Sequence, residues 1–179
     1  MPEIKVFGIV EEDAVNFNDG FAMTVFCQGC THPKGTPFMD DCGHCIGCHN
    51  PDTHSLDGGT VYTTEQLYQL LRLNLLHKAL VLSGGEPMVQ AEALAPLCAM
   101  AKEAGYKVWL YTGYTWEQLQ TVPGWSAIAP HLDVLIDGPF IGSLKSHRLK
   151  YRGSKNQRML NVQQSLARGK PVLYRKPSA

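Results

Sequence analysis

The sequence predicts an α/β protein built on a mainly parallel sheet, and three observations carry that expectation. Apolar, β-branched runs alternate with stripes of helical period, the order that yields strand–crossover–strand units with right-handed connections. Four strand ends carry polar or glycine-rich segments: Gly29-Cys30, Ser83-Gly84-Gly85-Glu86, Thr112-Gly113 and Asp137-Gly138. Ligands of parallel α/β sheets bind at the carboxyl ends of strands, so these segments are expected to converge on one rim.

Taken in order, residues 4–10 read as a strand, and 15–20 (Val-Asn-Phe-Asn-Asp-Gly) as a turn, because Asn and Asp-Gly favour tight or left-handed conformations. A second strand covers 21–28, and Gly29 turns the backbone before Cys30. The following segment, with Pro33, Gly35, Pro37 and Gly43, is expected to be an irregular surface loop. Thr63-Thr64-Glu65-Gln66 has capping-box spacing and opens a helix striped by Leu67, Leu70, Leu71 and Leu75. The apolar run 79–82 is expected to be a strand covered on both faces. A helix over 91–104 follows, with Gly105 as its C-cap and Pro96 delaying or kinking it. A strand at 107–111, a short helix from Thr115, a strand at 134–136, a helix over 161–167 and a short strand at 171–174 complete the order.

A chain of 179 residues fits one domain, 1–179, able to bury about 70% of its unfolded surface. The 44% apolar and 18% charged fractions are those of an ordinary soluble globular protein. Sixteen basic and sixteen acidic residues cancel, so charge argues for neither a nucleic acid nor a membrane partner. The first ten residues lack a secretory signature, and no run approaches eighteen apolar residues. A cytoplasmic setting is therefore expected, where clustered cysteines bind metal rather than pair as disulfides.

Five of the six cysteines crowd into residues 27–53: Cys27, Cys30, Cys42, Cys45 and Cys48. Cys27-x2-Cys30 with Cys42-x2-Cys45 has zinc-ribbon spacing, which would make a non-catalytic binding module. That choice leaves Cys48 unused and the polar strand ends without a purpose. An iron–sulfur cluster held by three thiolates would leave one iron open for chemistry. Cys98, among Leu94, Leu97 and Ala101, reads as a core residue.

Gln28-Gly29-Cys30, with Cys45-Ile46-Gly47-Cys48-His49-Asn50-Pro51-Asp52-Thr53, resembles the cluster loop of the radical S-adenosylmethionine activating enzymes. Those proteins install a glycyl radical in a partner. The resemblance is strongest to the members serving the anaerobic (class III) ribonucleotide reductase. It continues in family order through 82–87, 108–114, 133–140 and 151–158, nearly the whole chain.

The resemblance implies an incomplete parallel (β/α) barrel of the radical SAM type, with one [4Fe-4S] cluster and S-adenosyl-L-methionine as cofactors. The implied reaction is reductive cleavage of S-adenosylmethionine to a 5′-deoxyadenosyl radical, which takes hydrogen from a glycine of anaerobic ribonucleoside-triphosphate reductase. Flavodoxin or ferredoxin would supply the electron. Cofactor contacts are implied at Ser83, Gly84, Gly85, Glu86, Thr112, Asp137 and Asn156. On bland terms the glycine pair is a turn, Asp137 merely ends a strand, and Arg152, Lys155, Asn156 and Arg158 are solvated surface. About nineteen residues follow Leu160, too few for the further units that would close a barrel.

The chain departs from the family twice. Fourteen residues separate Cys30 from Cys45, where the family has C-x3-C-x2-C. An insertion over about 33–43 brings Cys42 with it. Expanded spacing also occurs in some relatives of 7-carboxy-7-deazaguanine synthase, which makes a small-molecule radical enzyme the rival. The implied ligands are Cys30, Cys45 and Cys48, or else Cys42, Cys45 and Cys48. The first set is favoured because Gly29-Cys30 sits where the family has its first ligand. The second departure is Asn18-Asp19-Gly20-Phe21-Ala22-Met23, where relatives carry Asp-Gly-Pro-Gly and then an arginine.

Overall fold

A computed structural model describes residues 2–17, 19–32 and 37–175. The strands are β1 (Glu3–Asp13), β2 (Phe21–Cys27), β3 (Thr60–Thr63), β4 (His77–Gly84), β5 (Lys107–Tyr111), β6 (Val134–Asp137) and β7 (Arg158–Asn161). They form one seven-stranded sheet in the order β3-β1-β2-β4-β5-β6-β7. β2, β4, β5 and β6 run parallel, while β1, β3 and β7 are antiparallel to their neighbours. The parallel α/β centre is as expected, but the sheet is mixed and does not close into a barrel.

The central strands are covered on both faces, as the continuous apolar runs require. Along β4, Leu80 and Leu82 join the larger core with Leu67, Leu94 and Leu97 of the helices. Ala79 and Val81 face the other side and pack with Phe17, Trp109 and Ile136. Helix α1 (Thr64–Leu73) starts from the expected capping box. Gln66 N–H donates to Thr63 Oγ1 at 3.2 Å, and Thr63 N–H donates to Gln66 Oε1 at 2.8 Å. Leu75 falls beyond the helix and is 89% exposed, so it is not part of the stripe.

Helix α2 (Ala91–Glu103) carries Pro96 inside it, so the proline does not delay its start. Gly105 follows at φ +88°, a conformation glycine adopts without a Cβ penalty. Short helices α3 (Trp116–Leu119) and α4 (Trp125–Ile128) cover the path to β6. Helix α5 (Val162–Arg168) is capped by Asn161, whose side chain accepts from Gln164 N–H.

Three expectations change. β3 and β7 are strands where none was expected. Residues 171–174 form only an isolated bridge, Leu160 to Leu173, instead of a strand. The turn residue Asn18 and the loop residues Pro33 and Gly35 lie outside the described residues. No helix among the described residues is long and apolar enough to cross a membrane.

Candidate functional site

Because β2, β4, β5 and β6 run parallel, their carboxyl ends share one edge of the sheet, and a cavity of about 460 Å³ opens there. Its wall includes Ser83, Gly84 and Gly85 at the end of β4, Thr112 and Gly113 after β5, and Gly138 after β6. Cys30, Cys45 and Cys48 line the same cavity. The four polar strand ends therefore converge as the sequence suggested.

Cys30 is delivered by the exit of β2. Gly29, at φ +97°, turns the chain, its N–H donates to Thr53 O at 2.8 Å, and Cys30 N–H donates to His54 O at 3.1 Å. Cys45 enters on a bridge to Met39, and Cys48 closes a turn by donating its N–H to Cys45 O at 3.1 Å. Asn50 N–H donates to Cys48 Sγ at 3.3 Å. Burial first, and the Glu86 carboxylate second, push the Cys30 thiol above its ordinary range. Burial also raises Cys45, while the Phe140 backbone amide draws it down. Three thiolates crowded into one cavity need a compensating positive charge. A metal cluster supplies that charge, so the donor set fits one.

The other three cysteines lie elsewhere. Cys42 is exposed and off the cavity wall. Cys27 and Cys98 are fully buried in the larger core, and burial pushes Cys27 to about 12.

The glycine pair has a packing reason of its own. At Gly84 (φ +99°) a Cβ would lie 2.5 Å from Cys27 N, and at Gly85 it would lie 2.2 Å from Gly29 O. The glycines let the β4 exit pack against the β2 exit, where Gly85 N–H donates to Cys27 O and Glu86 N–H to Gly29 O. The small residues thus press against the cysteine-bearing backbone, and the cavity takes their other side.

Glu86 is wholly buried and does not line the cavity. Its Oε1 accepts from Thr112 Oγ1 at 2.8 Å and Met88 N–H at 3.0 Å. Its Oε2 accepts from Gly113 N–H at 2.8 Å and lies 3.1 Å from His32 Nε2. One carboxylate therefore joins the ends of β4 and β5 to the segment after Cys30. Asp137 is also buried off the wall, accepting from Trp116 N–H at 2.7 Å and Arg158 Nε at 3.0 Å. Asn156 donates to Pro139 O at 2.7 Å, and its buried Oδ1 has no partner. Arg152, on the wall, likewise has a buried Nε without a partner.

Sequence reasoning missed His32 and underused Arg152. His32 packs its ring 4.7 Å from Tyr114, and a Cβ on Gly113 would strike it at 2.5 Å. Its spacing two residues past Cys30 was visible, but the Glu86 partner 54 positions away was not. His49 lines the cavity with its ring 4.4 Å from Phe140, and burial lowers its pKa.

The sequence model of the 4Fe-4S single cluster domain matches residues 18–160, which contain all three cavity thiols and the whole rim. Over 153 residues, 81% of this chain and 90% of the relative, it is 36% identical to the anaerobic ribonucleoside-triphosphate reductase-activating protein of Vibrio cholerae. The protein of the same name from Haemophilus influenzae is 31% identical over the same shares. The chain belongs to this 4Fe-4S family of activating proteins. A shorter match, 38% identical over 74 residues (38% of this chain, 31% of the relative), is to the pyruvate formate-lyase-activating enzyme of Clostridium pasteurianum.

Proposed function

We propose that the chain is a glycyl-radical activating enzyme in which Cys30, Cys45 and Cys48 hold one [4Fe-4S] cluster and the strand rim holds S-adenosylmethionine. One observation carries this: of six cysteines, these three alone line the cavity at the carboxyl ends of the parallel strands. When bound, the cluster would supply the electron for reductive cleavage of S-adenosylmethionine, the chemistry by which hydrogen would be taken from a glycine of anaerobic ribonucleoside-triphosphate reductase.

The protein's own residues bind and orient. Ser83, Gly84, Gly85 and Thr112 form the wall on which the cofactor lies. The unpartnered Nε of Arg152, on the wall, is a donor that a polar ligand would satisfy, while Asn156, off the wall, holds Pro139. Glu86 and Asp137 act from behind the wall as positioning residues. Glu86 holds the β5 end and His32, while Asp137 holds Arg158 and the start of α3.

We read the whole chain, 1–179, as a single radical SAM domain, and its open sheet as the incomplete barrel of that superfamily. An unclosed sheet suits a substrate that is a loop of another protein. Flavodoxin or ferredoxin is the proposed electron donor, in the cytoplasm, where free thiols persist.

The test is an iron count on six single Cys→Ala variants after anaerobic reconstitution. Cys30, Cys45 and Cys48 variants should lose the cluster absorption and S-adenosylmethionine cleavage. Variants at Cys27, Cys42 and Cys98 should keep about four irons. A Cys30→Ala protein with full iron beside a Cys42→Ala protein without it would reverse the ligand assignment.

A further inference from the structure

We propose that Asp40, Cys42 and His44 form a second metal site, for a single zinc-type divalent cation, on the outer side of the cysteine loop. The proposal rests on the reading above that Cys42 is not a cluster ligand. The three ligand atoms all lie within 4.8 Å of one another.

The turn that presents them is closed without a metal. Asp40 Oδ1 accepts from both Cys42 N–H and His44 N–H at 2.9 Å. Gly43 N–H donates to Asp40 O, and Asp40 N–H donates to His44 O. Gly43 makes this possible at φ +86°, since a Cβ there would lie 2.5 Å from His32 O.

His44 supplies the second, independent observation. Its Nε2 lies 3.1 Å from Cys30 O, and a carbonyl can only accept, so Nε2 carries the hydrogen. The ring's other nitrogen, Nδ1, is turned to Asp40 Oδ2 at 3.5 Å, beside the Cys42 sulfur. A ligating histidine that donates its other N–H to a carbonyl is the usual support of a metal site. The His54 ring, stacked on His44 at 4.0 Å and 17°, fixes its plane.

A mixed carboxylate, thiolate and imidazole set suits zinc, with three protein ligands and water in the fourth position. Such an ion would pin the turn next to Cys45 and, through His44, the carbonyl of Cys30. It would thereby span the fourteen residues that separate two cluster ligands.

The experiment loads the cluster anaerobically, equilibrates the protein with Zn²⁺, removes loose metal on a chelating resin, and counts iron and zinc in one sample. The wild-type chain should hold about one zinc besides its cluster iron. Cys42→Ala should lose that zinc with iron unchanged, and Asp40→Asn should weaken zinc binding roughly tenfold or more. With Co²⁺ in place of zinc, a thiolate-to-cobalt charge-transfer band should appear in the wild type and vanish in Cys42→Ala. Equal zinc in wild type and Cys42→Ala, at equal iron, overturns this proposal alone. Loss of iron in Cys42→Ala overturns the ligand assignment beneath it as well.

Discussion

The strand rim and the cysteine loop face the same cavity but are held by different forces. At the rim, the β4 exit is locked to β2 by backbone hydrogen bonds and to the β5 end by two of the four contacts of a wholly buried Glu86, the others reaching Met88 and His32. The loop over 37–50 is mostly exposed and held by short-range turns, the Met39–Cys45 bridge and the His44–Cys30 contact. Folding therefore builds the wall, while the loop carries the proposed ligands Cys45 and Cys48, whose mutual fixation would come from metal–thiolate bonds. Damage to the two regions should separate cleanly: rim substitutions should cost stability, and loop substitutions should cost iron.

The largest expected stability effect is at Gly84. Gly84→Val places a branched side chain where even a Cβ meets Cys27 N at 2.5 Å, at a φ of +99°. Overpacking and backbone strain together should cost about 3 kcal/mol or more, read as a fall in the melting temperature of the metal-free protein. An unchanged melt would mean that the two strand exits are not locked.

Next comes Glu86→Gln, which keeps the shape but cannot accept at both ends. Leaving one buried partner unsatisfied should cost about 1–3 kcal/mol. Thr112→Val removes a single hydroxyl that donates to Glu86 and accepts from Tyr114 N–H, for about 1 kcal/mol and weaker S-adenosylmethionine binding by calorimetry. The smallest stability effect belongs to the loop. Cys48→Ala should shift the metal-free melt by only about 0.5 kcal/mol or less, yet abolish iron binding. A large melt shift there would erase the contrast between the regions.

The same division marks what the sequence could say. The β2–Gly29–Cys30 exit, the Thr63–Gln66 cap and the glycine-rich end of β4 carry local signals, and the structure has them where expected. β7 has none: Arg158–Asn161 is four residues inside a polar stretch, made a strand by pairing with β6. β3, equally short, merges into the cap of α1 and is defined by its register with β1. The reason for the glycine pair was also out of reach, because the atoms they would strike belong to β2, some 55 positions earlier. His32 and Glu86 meet only because β2 and β4 lie side by side. Contacts of that range depend on topology, which local pattern does not encode.

The function proposed for this cavity is the activation of a protein glycine. The direct measurement is electron paramagnetic resonance on the reduced, cluster-loaded chain mixed anaerobically with S-adenosylmethionine and anaerobic ribonucleoside-triphosphate reductase. A glycyl radical should appear on the reductase with 5′-deoxyadenosine formed in step, and cleavage should be slow and uncoupled when the reductase is omitted. A reductase that stays silent, while a purine-like or pterin-like small molecule accelerates turnover, would contradict it.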